Sequence, residues 1–301
     1  TPQDVRDAAL IALRSSPEGI KDGEIAFFGG SFTAIDRDYM IELLSSAQEF
    51  IGENGFKGIR ISTRPDAVDG EICDILEKYH VTAVELGAQS TNDKVLAMIR
   101  RGNKREDIFR SARLLKERGF ELGLQMMTGL YGSNDEDSIG TARDIISLSP
   151  DTARIYPTVV IENTELAELY RNGEYRPQTP EEAAVLCAKI LPMFERAGIK
   201  VIRLGLHSGG DVEGSFVAGA YHPALREMCE GHIYFDIINR ALSGKEKGKY
   251  IIYVAPREVS KASGQRRCNI EKLRELGYEC RIKENAALSA RDITLEKVNL
   301  L

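Results

Sequence analysis

The stretch EIAFFGGS (Glu24–Ser31) decides the fold, because a short apolar run ends there in two glycines and a serine. The run is typical of a buried β-strand. The glycines permit a tight turn that brings backbone N–H and C=O groups close to a ligand. A Gly-Gly turn alone is weak evidence, since many such turns only redirect the chain. The endings of the other strands therefore decide between a binding turn and a structural one.

Five more strand patterns follow, at residues 58–62, 82–86, 121–127, 153–157 and 200–204, with helical patterns between them. A β-then-α repeat predicts parallel strands joined by right-handed crossover helices. We therefore predict an α/β protein, a partial (β/α)6 barrel of parallel strands with a small α/β C-terminal module. In barrels of this kind the functional side chains lie at the carboxyl ends of the strands.

Polar residues stand at four of these predicted strand ends: Ser31, Thr63, Gln89 and Gln125. If the strands pair in chain order, the four side chains converge on one mouth, which is the pattern of a polar small-molecule site. Arg101 follows the helix after the third strand, and its guanidinium suits a carboxylate ligand. Spacing alone favours the simpler alternative for Arg101, a solvated helix end beside Arg100.

Composition limits the function classes. The chain has 301 residues, 43% apolar and 29% charged, which is ordinary for a globular protein and excludes a disordered or fibrous one. No apolar run approaches the ~20 residues of a membrane-spanning helix. The five cysteines are scattered without a CxxC pair: Cys73, Cys187, Cys229, Cys268 and Cys280. We expect a cytoplasmic protein with no membrane partner, no disulfide framework, and cysteines that serve as small apolar residues.

Charge divides the chain unevenly. We predict a barrel over 1–208, a helical linker over 209–244 and a small basic α/β module over 245–301. Residues 245–284 hold eleven Lys/Arg and six Asp/Glu, a net +5, which leaves −11 for the rest of a chain whose net charge is −6. Such asymmetry suggests different partners for the two parts. A solvated basic surface is the simpler alternative.

The ordered strand endings resemble the radical S-adenosylmethionine (SAM) superfamily, and in particular the radical-SAM barrel of the Elongator catalytic subunit. The resemblance covers about residues 24–208. The stretches that carry it are Phe28–Phe32, Thr63–Asp66, Glu85–Ser90, Arg101–Gly102, Ile155–Ile161, Thr164–Leu166 and Leu169–Tyr175. Oxygen-independent coproporphyrinogen oxidases are also similar at Gly87–Gln89, Arg101 and Gly129–Leu130, but Ser62 replaces their acidic ribose contact.

This resemblance implies two cofactors, SAM and a [4Fe–4S] cluster. Three cysteines of a CxxxCxxC segment would hold the cluster, and reductive cleavage of SAM would give a 5′-deoxyadenosyl radical. An electron donor such as flavodoxin or ferredoxin is then a partner. None of the five cysteines fits this motif, so we expect the cluster ligands upstream of Thr1. The acetyl-CoA chemistry of the Elongator subunit is not carried over, because the C-terminal module does not resemble its acetyltransferase domain.

The resemblance also implies roles for individual residues. Gly29, Gly30 and Ser31 match the turn at the methionine amino group, and Arg101 matches the arginine that holds the carboxylate. Gln89 and Gln125 fall at ribose or carboxylate contacts, and Thr63 joins the cofactor-binding set at the same mouth. The residues that would flank the adenine are Met127, Tyr156 and Pro157. His207, after the last barrel strand, is a further candidate to face the site.

The basic module resembles a degenerate KH domain over Val259–Leu273. KH domains clamp an RNA backbone at a GxxG loop, and the loop here reads Gly264, Gln265, Arg266 and Arg267, without the second glycine. We predict a radical SAM enzyme that modifies tRNA or another RNA. The alternatives are a non-catalytic RNA-binding scaffold, a coproporphyrinogen oxidase-like enzyme, and a barrel lyase or aldolase. The last lacks the strand-end lysine or metal ligands that it would need.

Overall fold

The computed structural model of this chain describes residues 1–16, 20, 22–53, 55–206 and 214–298. The chain forms two compact units, which we describe separately. The first comprises Thr1–Tyr156 with Met193–Arg203, and the second Pro157–Pro192 with Leu204–Leu301. The three-part division at residues 208 and 244 stays a prediction.

A six-stranded sheet in the order β1-β2-β3-β4-β5-β7 is the centre of the first unit. The pairs β1–β2, β2–β3 and β3–β4 are parallel. This sheet confirms the predicted α/β partial barrel, and all six predicted strands are present. Their bounds are Glu24–Phe27 (β1), Gly58–Thr63 (β2), Val81–Gln89 (β3), Glu121–Thr128 (β4), Thr152–Pro157 (β5) and Lys200–Leu204 (β7).

Helices follow the strands, and most begin at a capping side chain. The helix that starts the chain begins as its Thr1-Pro2 sequence dictates, with a capping box between Thr1 and Asp4. Asp36, Asp69 and Asn134 cap later helices through their side chains. The helices are Pro2–Ser15 (α1), Arg37–Gln48 (α2), Gly70–Lys78 (α3), Asp93–Met98 (α4), Arg105–Glu117 (α5) and Asp135–Ser147 (α6).

Alternation along the strands divides the sheet into an apolar and a polar face. Ile59, Ile61, Val84, Leu86 and Leu122 are fully buried on the helix-covered face. Burying each such side chain contributes about 1.5–3 kcal/mol. The residues between them point to the inner face of the partial barrel, where polar and charged groups predominate. The sheet therefore has its core on one side only, and the inner face is left for chemistry.

Charged side chains from five successive strands meet on the inner face. Arg60 pairs with Glu24 at 2.7 Å, with Glu121 at 2.8 Å and with Glu85 at 3.6 Å. Glu85, only 3% exposed, also pairs with Arg154 at 2.6 Å. We call these five side chains the ion network. Because each strand from β1 to β5 supplies one member, the network ties the strands together in register.

The second unit contains two sheets. β6 (Val159–Ile161) and β8 (Phe216–Gly219) form an antiparallel pair. A three-stranded sheet has the order β10-β9-β11, with β10 parallel and β11 antiparallel to the central β9. Its strands are Gly248–Val254 (β9), Tyr278–Glu284 (β10) and Ile293–Lys297 (β11). The helices of the unit are Glu165–Arg171 (α7), Leu225–Leu242 (α9), Val259–Ser263 (α10), Cys268–Glu275 (α11) and the part of Pro180–Arg196 (α8) that ends at Pro192, since α8 from Met193 onward belongs to the first unit.

Helix α9 supplies much of the core of the three-stranded sheet. Tyr234, Ile238 and Leu242 from this helix pack in one buried cluster with Ile252 of β9 and Leu273 of α11. The helix that the sequence presents as a linker thus contributes buried side chains to the C-terminal core. Within the described residues, no helix has the length and apolarity needed to cross a membrane.

We expect Glu85→Ala to destabilise the protein strongly. The variant removes the carboxylate that neutralises Arg154 inside the partial barrel, and an uncompensated buried charge lowers the free energy of unfolding by about 3–5 kcal/mol. Urea unfolding followed by circular dichroism measures this change. Arg110→Ala is the matched control, because it breaks an exposed pair with Asp107 worth about 0–1 kcal/mol. Equal effects of the two variants would show that the ion network does not stabilise the sheet.

Candidate functional site

The turn after β1 offers open backbone. Gly29 has φ +108°, a conformation that excludes other residues, and a Cβ placed on Gly29 or Gly30 would meet no atom within 4 Å. The stacked rings of Phe27 and Phe32, 4.6 Å apart, hold the two ends of the turn. Ser31 is half-buried beside them. The turn is therefore both fixed and accessible, which suits a ligand that binds to main-chain atoms.

Thr63, another residue of the predicted cofactor-binding set, is the last residue of β2 and is buried. Its side chain is 3% exposed, and its Oγ1 lies 2.6 Å from Oγ1 of Thr33. Thr33 in turn donates to the carbonyl of Ala67 at 2.6 Å. These bonds tie the Gly29–Ser31 turn to the end of β2. In this structure Thr63 thus supports the turn from behind, and its hydroxyl already has a partner.

A bulge at the end of β3 turns the side chain of Gln89 toward Gly87 and Gln125. The pairing between β3 and β4 shifts between Gly87 and Gln89, and Gln89 adopts φ +62°. A left-handed conformation is costly for a non-glycine residue, and such strain concentrates at functional sites. The side chain of Gln89 folds back over Gly87, where a Cβ would lie 2.9 Å from its Nε2. The glycine therefore creates the space that Gln89 occupies.

Arg101 lies on the same glycine. Its Nη2 donates to the carbonyl of Gly87 at 3.1 Å and would be 3.2 Å from a Cβ there. Burial lowers the pKa of Arg101, and so does the positive charge of Arg64, whereas Asp66 raises it. Arg64 and Asp66 pair with each other at 2.8 Å. Among the described residues, Arg101 has no carboxylate within ion-pair distance, so a half-buried cation is left for an anionic ligand.

Strands β4 and β5 carry the remaining residues of the predicted cofactor site. Gln125 Nε2 donates to Gln89 Oε1 at 3.2 Å. Met127, two residues further along β4, is half-buried on the same face of the strand. The Tyr156 hydroxyl accepts a hydrogen bond from Arg154 Nη1 at 3.3 Å, which links this strand end to the ion network. Pro157, the last residue of β5, is buried.

Three of the predicted residues are thus in direct contact with each other or with Gly87: Gln89, Arg101 and Gln125. They combine one guanidinium with amide groups that can donate and accept. This donor set suits a ligand that carries a carboxylate and hydroxyl groups.

Comparison with known proteins identifies the family. The profile of the Radical SAM superfamily matches residues 4–145, and that of the Radical_SAM C-terminal domain matches residues 150–234. The chain belongs to the radical SAM superfamily. The two matches span the strand ends on which the resemblance depends, so the family predicted from the sequence is confirmed.

Relatives within the superfamily are Elongator-like. The chain is 30% identical to the tRNA uridine(34) acetyltransferase of Methanocaldococcus infernus over 196 residues, which is 58% of this chain and 37% of that protein. It is 30% identical to human Elongator complex protein 3 over 208 residues, 60% of this chain and 37% of that protein. The matched region therefore spans little more than a third of the length of these relatives.

A solved structure supports the fold. The archaeal Elp3 of Methanocaldococcus infernus with an N-terminal deletion superposes with a TM-score of 0.63 at 24% sequence identity. The match covers 77% of this chain and 62% of that chain. This superposition supports the α/β fold described above.

The cysteines are packing residues in this structure. Cys73, Cys187, Cys229 and Cys280 are buried, and Cys268 is half-buried. Burial raises the pKa of Cys73 and of Cys280 to about 11, and that of Cys187 to about 12. Within the described ranges, no three His, Cys, Asp or Glu side chains lie close enough to hold a metal ion. The [4Fe–4S] cluster consequently has no ligand set among these residues.

The predicted RNA loop is shaped by three left-handed residues. Gly264, Arg266 and Arg267 have φ values of +73°, +51° and +65°. Gly264 is buried, and a Cβ there would lie 2.7 Å from Cys268 Sγ. Gln265, Arg266 and Arg267 are exposed.

His207, the further candidate after the last barrel strand, lies outside the described residues.

Sequence reasoning missed the ion network and Arg64. A signal was available, because a charged residue recurs at the inward-facing positions of five successive strands, namely Glu24, Arg60, Glu85, Glu121 and Arg154. The sequence signal for Arg64 is weaker, because its effect on the pKa of Arg101 depends on the conformation of the turn after β2.

We expect one of the five thiols to react much faster than the others. A thiol with a pKa of about 11 is ionised to only about one part in a thousand at pH 8, and buried sulfur is also shielded from reagents. Iodoacetamide labelling of the folded protein at pH 8, read by peptide mass spectrometry, should modify Cys268 first. A Cys268→Ser variant should lose the fast phase. Fast labelling of Cys73 or Cys187 would contradict their burial.

Proposed function

We propose that this chain is a radical SAM enzyme that binds SAM at the carboxyl ends of β1 to β5 and modifies tRNA or another RNA. The observation that carries the proposal is Arg101, a half-buried guanidinium held against Gly87 with no carboxylate partner among the described residues. An anionic ligand would offset the cost of burying that charge. The methionine carboxylate of SAM supplies such an anion.

The other residues fit the remaining parts of SAM. The Gly29–Ser31 turn exposes backbone groups that suit the methionine amino group. Gln89 and Gln125, which already share a hydrogen bond, present amide groups to the ribose hydroxyls. Met127, Tyr156 and Pro157 would flank the adenine. Thr63 acts through the turn that it supports.

SAM bound to a reduced [4Fe–4S] cluster supplies a 5′-deoxyadenosyl radical in this superfamily. The described residues offer the cluster no ligands. The residues of this chain would bind and orient SAM: Arg101 would hold the methionine carboxylate, and Gln89 and Gln125 would hold the ribose. A low-potential donor such as flavodoxin or ferredoxin would supply the electron, and five free cysteines suit a reducing cytoplasm.

An RNA substrate is supported by the relatives and by charge. Several similar proteins bear the name tRNA uridine(34) acetyltransferase. The net +5 of residues 245–284 gives this chain a local attraction for a polyanion. These observations favour RNA over a porphyrinogen as the substrate. Acetyl transfer is not part of the proposal.

Arg101→Ala should weaken SAM binding at least tenfold. The variant removes the cation that meets the carboxylate, and charged hydrogen bonds of this kind contribute about 1.5–3 kcal/mol. Isothermal titration calorimetry with SAM measures the change. Arg100→Ala, at the neighbouring exposed position, is the control and should bind as the wild type does. Equal affinities for all three proteins would remove Arg101 from the site.

The activity itself is tested by anaerobic reconstitution. The full-length protein, supplied with iron, sulfide, SAM and a reductant, should develop cluster absorbance and release 5′-deoxyadenosine, which chromatography detects. Addition of an unmodified tRNA transcript should increase the release if RNA is the substrate. A protein that assembles a cluster yet releases no 5′-deoxyadenosine would favour the non-catalytic scaffold instead.

A further inference from the structure

A cleft of about 630 Å³ lies in the C-terminal module, and none of its lining residues belongs to the proposed SAM site. Helix α11 and strands β9 and β10 line it. Five of its lining residues are cations, and we call the site they form the basic cleft: Lys249, Arg267, Arg274, Arg281 and Lys283. All five are exposed. The cleft therefore concentrates almost half of the eleven basic residues of this module on one surface.

Most of that charge has no compensation inside the protein. Glu279 is the one carboxylate among the lining residues, and it pairs with Lys249 at 3.5 Å. Arg267, Arg274, Arg281 and Lys283 form no ion pair with any residue in the described part of the chain. Elsewhere in the same module, exposed Lys297 pairs with Glu246 and Lys261 with Glu258. Four uncompensated cations facing one cleft repel each other and favour an anionic ligand with several charges.

The backbone holds Arg267 at the cleft. Arg267 adopts φ +65° as the residue before α11, immediately after Arg266 at φ +51°. Two consecutive left-handed arginines are costly and need support from their surroundings. Asn269, 1% exposed, provides it by donating to the carbonyls of Gly231 at 2.8 Å and Ala262 at 3.1 Å. The turn is thus anchored to α9 and α10, so that Arg267 is positioned before any ligand arrives.

The remaining cations are spread along regular elements. Arg281 and Lys283 lie two residues apart on the same face of β10, about 6.6 Å along the strand. Arg267 precedes α11, and Arg274 lies seven positions further along the chain, about 10 Å along the helix axis. Charges distributed over such distances suit a chain of phosphates better than a single phosphate group.

We infer that the basic cleft binds the phosphate backbone of the RNA substrate; this inference rests on the proposed function. The RNA contact predicted from the sequence involves the backbone of the Gly264–Arg267 loop. The basic cleft would instead contact RNA through side chains on and next to α11 and β10, and Arg267 belongs to both sets. Gly264 is occupied by its own packing against Cys268 and Asn269, so a KH-type clamp would have less backbone to offer.

The salt dependence of tRNA binding tests the inference. Log K falls as log salt rises, and each lost phosphate contact makes this fall less steep by about 0.7 for single strands and 0.9 for duplex. Arg274→Gln combined with Arg281→Gln should therefore lower the slope by about 1.4 to 1.8, measured by fluorescence anisotropy with a labelled tRNA transcript. Arg240→Gln combined with Lys245→Gln removes the same charge from exposed positions outside the cleft and should leave the slope unchanged. Thermal melting of both double variants should match the wild type.

The outcomes separate this inference from the proposed function. If the wild-type chain binds tRNA and the two double variants show equal slopes, the cleft is not the site, and the RNA substrate stands. If the wild-type chain binds no tRNA, both the cleft and the RNA substrate are wrong, while SAM binding through Arg101 is unaffected. Loss of slope confined to the cleft variant supports the inference.

Discussion

The sharing of Glu85 between Arg60 and Arg154 is the interaction on which the first unit depends. Burying an ion costs several kcal/mol unless its partners are in place, and here the partners lie on different strands. The observed strand order and register bring all five charges of the ion network together. The same register aligns the carboxyl ends of β1 to β5, where the site is built. A charged inner face also keeps the partial barrel from filling with apolar side chains.

Two local features at Gly87 then shape this edge of the sheet, where we propose that SAM binds. The bulge after Gly87 re-aims Gln89, and the missing Cβ of Gly87 makes room for Gln89 and Arg101 together. Tyr156 joins the two levels of the inner face, because its hydroxyl accepts from Arg154 of the ion network. The ion network and the polar residues at the strand ends are therefore connected through Tyr156.

Much of this could be predicted from the sequence, because strand periodicity and strand-end residues are local signals. The six parallel strands, the superfamily, and the meeting of Gln89 with Gln125 follow from such signals. The hydrogen bond between Thr63 and Thr33 could not be predicted in this way, because it joins the end of β2 to the segment after the Gly29–Ser31 turn. The partners of Glu85 and the gathering of Arg267, Arg274 and Arg281 depend on pairing between distant segments. Those pairings become visible only in the folded chain.

The proposed function depends first on the binding of SAM at this edge of the sheet. Hydrogen exchange of the protein with and without saturating SAM, read by mass spectrometry, tests it most directly. SAM bound there should slow exchange in the segments around Gly29–Ser31, Gly87–Gln89 and Gln125–Met127, and exchange in β9 and β10 should not change. Unchanged exchange in all three segments, or protection confined to the C-terminal sheet, would contradict it.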